Sequence, residues 1–193
     1  LKVKDGALTI PDANNLNTPK PVRQAVTSKN DFITDLKYSF EEGESNLFDG
    51  LYSRIFSGLK FVEVVKDMKR QLKGIDKVLH FNNGMQLTID EKKRRYNYGD
   101  IILEVWSNYN QRKFGWLYTC QCDYIVYAVM PLQKVYLLPT MLLRKAWLTH
   151  QRNWTKEYRQ VRAKNKYYTT VSIAIPTNIL LDAISSEMQQ KLA

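Results

Sequence analysis

Residues 73–107 read KGIDKVLHFNNGMQLTIDEKKRRYNYGDIILEVWS. The stretch threads Asp76, Asp90, Glu91 and Glu104 through three short apolar runs, in a chain whose formal net charge is +10. Carboxylates are disfavoured in strands and costly to bury unless something pairs them. They either lie on a wet sheet face or hold a cation. The tripeptide NNG at 82–84 supplies residues that tolerate positive φ, so GIDKVLHF and MQLTIDEK are predicted to form a hairpin. GDIILEVWS reads as a further strand after the basic turn KKRRYNY.

Strand side chains alternate between faces with a period of two. Leu87 and Ile89 therefore share a side with Glu91 and Lys93, while Gln86, Thr88, Asp90 and Lys92 take the other. Asp76, Val78 and His80 lie opposite Lys77, Leu79 and Phe81. Asp100, Ile102, Glu104 and Trp106 lie opposite Ile101, Leu103 and Val105. If the apolar sides pack on helices, Asp76, Asp90, Lys92 and Glu104 emerge on the opposite surface, because consecutive strands are usually neighbours.

Upstream, LKFVEVVKD reads as a strand. Leu47, Phe48, Leu51, Tyr52, Ile55 and Phe56 recur at helical spacing, with EEGES as a loop, Ser45 or Asn46 as N-cap and Gly58 as stop. Downstream, KVYLLP and YYTTVSIAIP read as strands. TMLLRKAWLTHQRNW and TNILLDAISSEMQQKLA read as helices, the last opened by Thr177 or Asn178. LYTCQCDYIVYAVM is ambiguous. The order predicts an α/β (α+β) domain over 31–193, a central mixed sheet with an antiparallel hairpin flanked by helices. Residues 1–30 are predicted to be an extended polar arm, with a short helix at PVRQAVTSK.

An apolar fraction of 44% and 12% aromatics are ample for a core. The basic balance favours polyanions, meaning nucleic acid, an anionic membrane face or an acidic protein. No run approaches the roughly 18–20 apolar residues of a membrane span. The opening LKVKDGALTIPDANN lacks the apolar core of a signal peptide. Cys120 and Cys122 are poorly spaced for an unstrained mutual bridge, which suits a reducing, intracellular compartment such as the cytoplasm. His80 and His150 are isolated, so no zinc site is expected.

The hairpin resembles the signature of the PD-(D/E)xK nuclease superfamily, which includes restriction endonucleases, phage exonucleases and Holliday-junction resolvases. GID opens one strand, IDEK closes the next, and an amphipathic helix and a strand precede them. The likeness covers about residues 45–107, more loosely GWLYTCQCDY, and Ile75 stands where the family usually has proline. The resemblance implies a restriction-endonuclease-like fold and Mg2+- or Mn2+-dependent hydrolysis of phosphodiester bonds in DNA. Asp76 and Asp90 would bind the metal, Glu91 would offer its backbone carbonyl, and Lys92 would assist the attacking water. Asp49 on the first helix, with Glu44 behind it, would complete the site. Glu104 would replace or assist that acid from the neighbouring strand. Glu91 and Lys93 also spell the motif, but they fall on the face of Leu87 and Ile89. Many relatives act as homodimers.

The chemistry needs this set because hard divalent cations prefer oxygen ligands and lower the pKa of bound water. Lys93, Arg94, Arg95, Arg112 and Lys113 flank the acidic strands and are the first candidates for phosphate contact. Residues 144–168 add basic residues interleaved with Trp147, Trp154, Tyr158, Tyr167 and Tyr168. Those rings either stack on unpaired bases or belong to the core. A basic nucleic-acid-binding protein without catalysis is the alternative reading; an interaction module for an acidic protein partner is more distant.

Overall fold

The computed structural model describes residues 42–189. The 1–30 arm and its short helix lie outside the described residues. Helix α1 spans Glu42–Ile55 and leads into β1, Leu59–Val64. The one-turn helix α2, Met68–Gln71, is capped by Asp67, whose carboxylate accepts from the amides of Lys69 and Arg70. The hairpin follows as β2, Lys77–Phe81, and β3, Gln86–Arg94. Gly84 turns between them at φ 82°, a conformation glycine adopts without steric cost.

The chain continues through β4, Asp100–Asn108, the two-residue β5, Lys113–Phe114, and the one-turn helix α3, Trp116–Thr119. Next come β6, Tyr124–Val129, β7, Lys134–Pro139, and the long helix α4, Thr140–Glu157. Strands β8, Arg159–Lys164, and β9, Thr169–Pro176, precede helix α5, Thr177–Met188.

Two sheets result. The first is mixed, in the order β1-β2-β3-β6-β7, and the second is antiparallel, in the order β5-β4-β9-β8. In the first sheet β3 runs parallel to β6, and its other pairings are antiparallel. The mixed sheet with a central hairpin and flanking helices is thus present, joined by a second sheet that the sequence reading lacked.

Three local expectations need correction. EEGES is not a loop before the first helix: α1 already begins at Glu42, so Ser45 and Asn46 lie inside it rather than at its N-cap. Strand β4 does not extend the hairpin sheet but pairs with β9, so the rule that consecutive strands are neighbours fails after β3. Residues 159–164, read only as part of a basic segment, form β8 against β9. The ambiguous stretch resolves into α3 followed by β6.

The first sheet is buried on both faces, and β6 shows this directly. Ile125, Tyr127 and Val129 join a core with Ile101 and Leu103 of β4, Ile173 and Ile175 of β9, and Trp147 and Leu180 of the helices. The alternate residues Val126 and Ala128 join Phe48, Tyr52, Leu79, Phe81 and Ile89 in a second core under α1. A strand covered on both sides reads as a continuous apolar run rather than an alternating one, which is why YIVYAV gave no clear period. Among the described residues no helix is long and apolar enough to cross a membrane.

Candidate active site

The hairpin register decides which acids meet. Lys77 pairs with Ile89 and Val78 with Thr88, so one step further places Asp76 across from Asp90. The Asp76 amide donates to the Ile89 carbonyl at 2.8 Å. The Asp76 carboxylate accepts from the Glu91 amide at 2.9 Å. Lys92, on the same face of β3 as Asp90, places its ammonium 2.6 Å from Asp90 Oδ1. Asp90 is buried, at 1% relative exposure, while about a third (31%) of the Lys92 side chain stays accessible. Of the four groups expected on one exposed face, Asp76, Asp90 and Lys92 share a face, but that face is covered and Asp90 is buried within it, while Glu104 belongs to the second sheet.

Glu91 goes the other way. Its carboxylate accepts from the Tyr52 hydroxyl at 2.7 Å and pairs with Lys77 at 3.2 Å, beneath α1. Lys93 lies over the Phe48 ring on that side. The backbone of Glu91 faces the acids while its side chain helps hold the helix. This geometry separates the two spellings of the motif: Asp90 and Lys92 meet Asp76, and Glu91 and Lys93 do not.

Glu104 reaches the site from the second sheet rather than from a neighbouring strand. It lies beside an irregularity in the β4–β9 pairing between Glu104 and Trp106. Its carboxylate accepts from the Trp116 amide at 3.2 Å. The Trp116 ring lies under the Lys92 ammonium, 5.8 Å from it. Gly115 permits this approach, since a Cβ there would stand 2.4 Å from the Glu104 carbonyl oxygen. Asp49 falls within α1, but its side chain, like that of Glu44, lies outside the described residues.

Electrostatics mark the same place. Burial, then the charge of Asp90, raises Asp76 to about 6, against the pull of the Glu91 amide and Lys92. Burial raises Glu104, partly offset by the Trp116 amide and Lys92. Burial alone would depress Lys92, but the charge of Asp90 and its hydrogen bond reverse the sign, so Lys92 is raised. Burial also raises Glu91 on the opposite face, countered by Tyr52 and Lys77. Two carboxylates of like charge held together in a partly dry site favour a proton or a cation between them.

The sequence reading did not anticipate two thiols at this point. Cys120 Sγ lies 3.6 Å from Asp90 Oδ2 and 2.9 Å from Cys122 Sγ, and both cysteines are free and buried. The hydrogen bond between the two thiols raises Cys120 and lowers Cys122. Among the described residues Asp90, Cys120 and Cys122 form a group whose donor atoms lie within 4.8 Å of one another. Gly74, at φ 69°, makes room for them, since a Cβ there would meet Cys120 Sγ at 2.7 Å. Arg144 clamps the turn by donating to the carbonyls of Leu117 and Cys120. The left-handed glycine two residues before Asp76 was the one sequence signal available.

Other polar residues on these elements have structural partners. Asp123 accepts from the amide and hydroxyl of Thr88, fastening β3 to the start of β6. Gln71 donates to the Val65 carbonyl. His80 pairs with Glu63 at 2.9 Å and stacks on Phe61. Arg94 forms an ion pair with Asp100 at 2.6 Å and lies over Tyr98. Arg95 is half-buried, whereas Arg112 on the turn before β5 and Lys113 in β5 are exposed. Trp147 and Trp154 are core residues, which settles the choice left open between stacking and burial for those two rings.

Comparison with known proteins finds no matching family model, no significantly similar curated protein and no significantly similar solved structure.

Proposed function

We propose that this chain is a metal-dependent deoxyribonuclease of the PD-(D/E)xK type, with a restriction-endonuclease-like core around β1–β3 and β6. One observation carries the reading: the register that sets Asp76 across from Asp90 also places the Lys92 ammonium on Asp90. A structural ion pair needs only Asp90 and Lys92. The second carboxylate, raised by burial and then by its neighbour's charge, adds repulsion that a divalent cation relieves.

Asp76, Asp90 and the Glu91 carbonyl are oxygen donors that would hold a hard cation, on the side of Asp90 away from the Cys120 and Cys122 thiols that lie against its Oδ2. Such an ion supplies Lewis acidity and neutralises charge that develops on the phosphate and leaving oxygen. Lys92 has two tasks in this scheme. It pairs with Asp90, and it offers a positive charge beside the attacking water. The Glu91 amide fixes the rotamer of Asp76, so the carboxylate is oriented before substrate arrives. Trp116 places its ring against the Lys92 ammonium.

The test is incubation of the folded protein with plasmid, linear duplex and single-stranded DNA, in Mg2+ or Mn2+ and then in EDTA. Cleavage that requires the metal and disappears in Asp90→Asn supports the reading. A folded wild-type protein that binds these DNAs with a steep salt dependence, but cuts none of them with either metal, contradicts it. That result favours the non-catalytic nucleic-acid binder, for which the Lys92–Asp90 bond is a buried structural pair.

A further inference from the structure

Of the basic residues and aromatics at 144–168, the fold brings Arg162 and Lys164 of β8 beside rings that come from elsewhere in the chain. Those rings form a continuous row on the second sheet. Trp106 of β4 stacks on Phe114 of β5, with centroids 5.1 Å apart and planes 16° apart. Tyr109, in the turn between them, sets its edge to Trp106 at 6.4 Å. Arg162 of β8 lies 4.9 Å over the Tyr109 ring. Phe114 continues to Tyr118 at 5.0 Å, and the Tyr118 hydroxyl accepts from Trp147 in the core.

The outer members of this row are open to solvent: Phe114 is 54% exposed and Tyr109 45%. Large apolar rings grouped on a surface carry a hydration cost that a ligand removes. The surrounding charge has one sign. Arg112 ends the turn that holds Tyr109, Lys113 opens β5, and Arg162 and Lys164 project from β8, all exposed. Lys164 pairs with Thr169, whose carbonyl accepts from the Tyr109 amide, so the cations of β8 adjoin the ring. Flat apolar faces bordered by cations match unpaired bases on an anionic backbone, where stacking contributes about 1–3 kcal/mol per base.

The row also leads to the acids. Glu104 precedes Trp106 by two residues on β4. Phe114 runs directly into Gly115 and Trp116, whose amide holds the Glu104 carboxylate and whose ring lies under Lys92.

We propose that Tyr109, Trp106 and Phe114 form a base-stacking platform that receives single-stranded DNA, or an unpaired end, and feeds its backbone toward Asp76 and Asp90. The use of this strand as a substrate rests on the nuclease reading; the binding itself does not.

The experiment is fluorescence anisotropy of a labelled oligothymidylate with the full chain in EDTA, where no metal-dependent cutting occurs. Wild-type protein is expected to bind the single strand more tightly than a duplex of equal length, and to show quenched tryptophan emission. Phe114→Ala and Tyr109→Ala are each expected to weaken single-strand binding about 5- to 150-fold, while Phe114→Trp retains it. The proposal is overturned if both alanine variants bind the single strand like wild type. Unchanged binding together with a several-degree loss of thermal stability assigns the row to packing against another part of this chain, which also overturns it. Loss of cutting in Asp76→Asn with the anisotropy pattern intact separates the two claims. A platform that responds as expected in a protein that never cuts removes the nuclease reading alone.

Discussion

Lys92 Nζ sits 2.6 Å from the buried Oδ1 of Asp90, two residues before it on the same strand face. Such a pair is local in sequence, yet Asp76, the residue just before β2, turns it into a three-group site. Removing the cation leaves Asp90 buried without its partner, a change that costs several kcal/mol when no solvent reaches the pair. Because Lys92 is partly accessible, Lys92→Ala is expected to lower stability by about 1–3 kcal/mol. It should also reduce cleavage by at least about 100-fold. Urea melts and a cleavage time course on the same preparations check both.

The raised Asp76 gives the metal-free protein an unusual acid limb. Between its ordinary 3.8 and about 6 the folded state keeps a proton that the unfolded chain has lost. The folded state therefore binds more protons there, and stability falls as pH rises across that window. The full effect is about 3 kcal/mol at most. Asp76→Asn should flatten this dependence in denaturant melts run from pH 4 to 7. Added Mn2+ should stabilise the wild type progressively more as pH rises past 6, since the ion competes with that proton.

Lys77 and Glu91 provide the control on the opposite face, with side-chain exposures of 5% and 12%. Lys77→Met strands Glu91 beneath α1 and is expected to cost about 3–5 kcal/mol. The double variant Lys77→Met with Glu91→Leu should recover much of that loss. Glu91→Gln should retain cutting while Asp90→Asn loses it. The reverse ranking in cleavage assays would restore the Glu91–Lys93 spelling of the motif.

Gly115 tests the route by which Glu104 arrives. A methyl group there meets backbone at 2.4 Å, so β4 and α3 must separate. Gly115→Ala is expected to destabilise the protein by about 1–3 kcal/mol and to lower cleavage beyond what the stability loss explains. Wild-type thermal melts and wild-type rates in this variant would remove Glu104 from the site.

These contrasts show what the sequence carried. The meeting of Asp76, Asp90 and Lys92 was legible because a strand period of two and the NNG turn are local properties. The inward turn of Glu91 followed from the same period, through its neighbours Leu87 and Ile89. The partner of β4 was not legible, because pairing with β9 depends on a segment some 70 residues away and leaves no local mark. Glu104 therefore comes from a different sheet than expected. Cys120 reaches Asp90 only through the Gly74 and α3 backbone, which no periodicity announces. Trp147 and Trp154 stayed open between stacking and core because basic residues surround them in sequence, and their burial is fixed only by the packing of α4.

The most direct measurement is Mn2+ binding followed by electron paramagnetic resonance, with and without a short DNA duplex. The wild type should bind the ion at the acids, and Asp76→Asn and Asp90→Asn, shown folded by circular dichroism, should each lose that signal. Binding that is unchanged in both variants, or absent from the folded wild type even with DNA present, would contradict the claim that these side chains hold a common divalent cation.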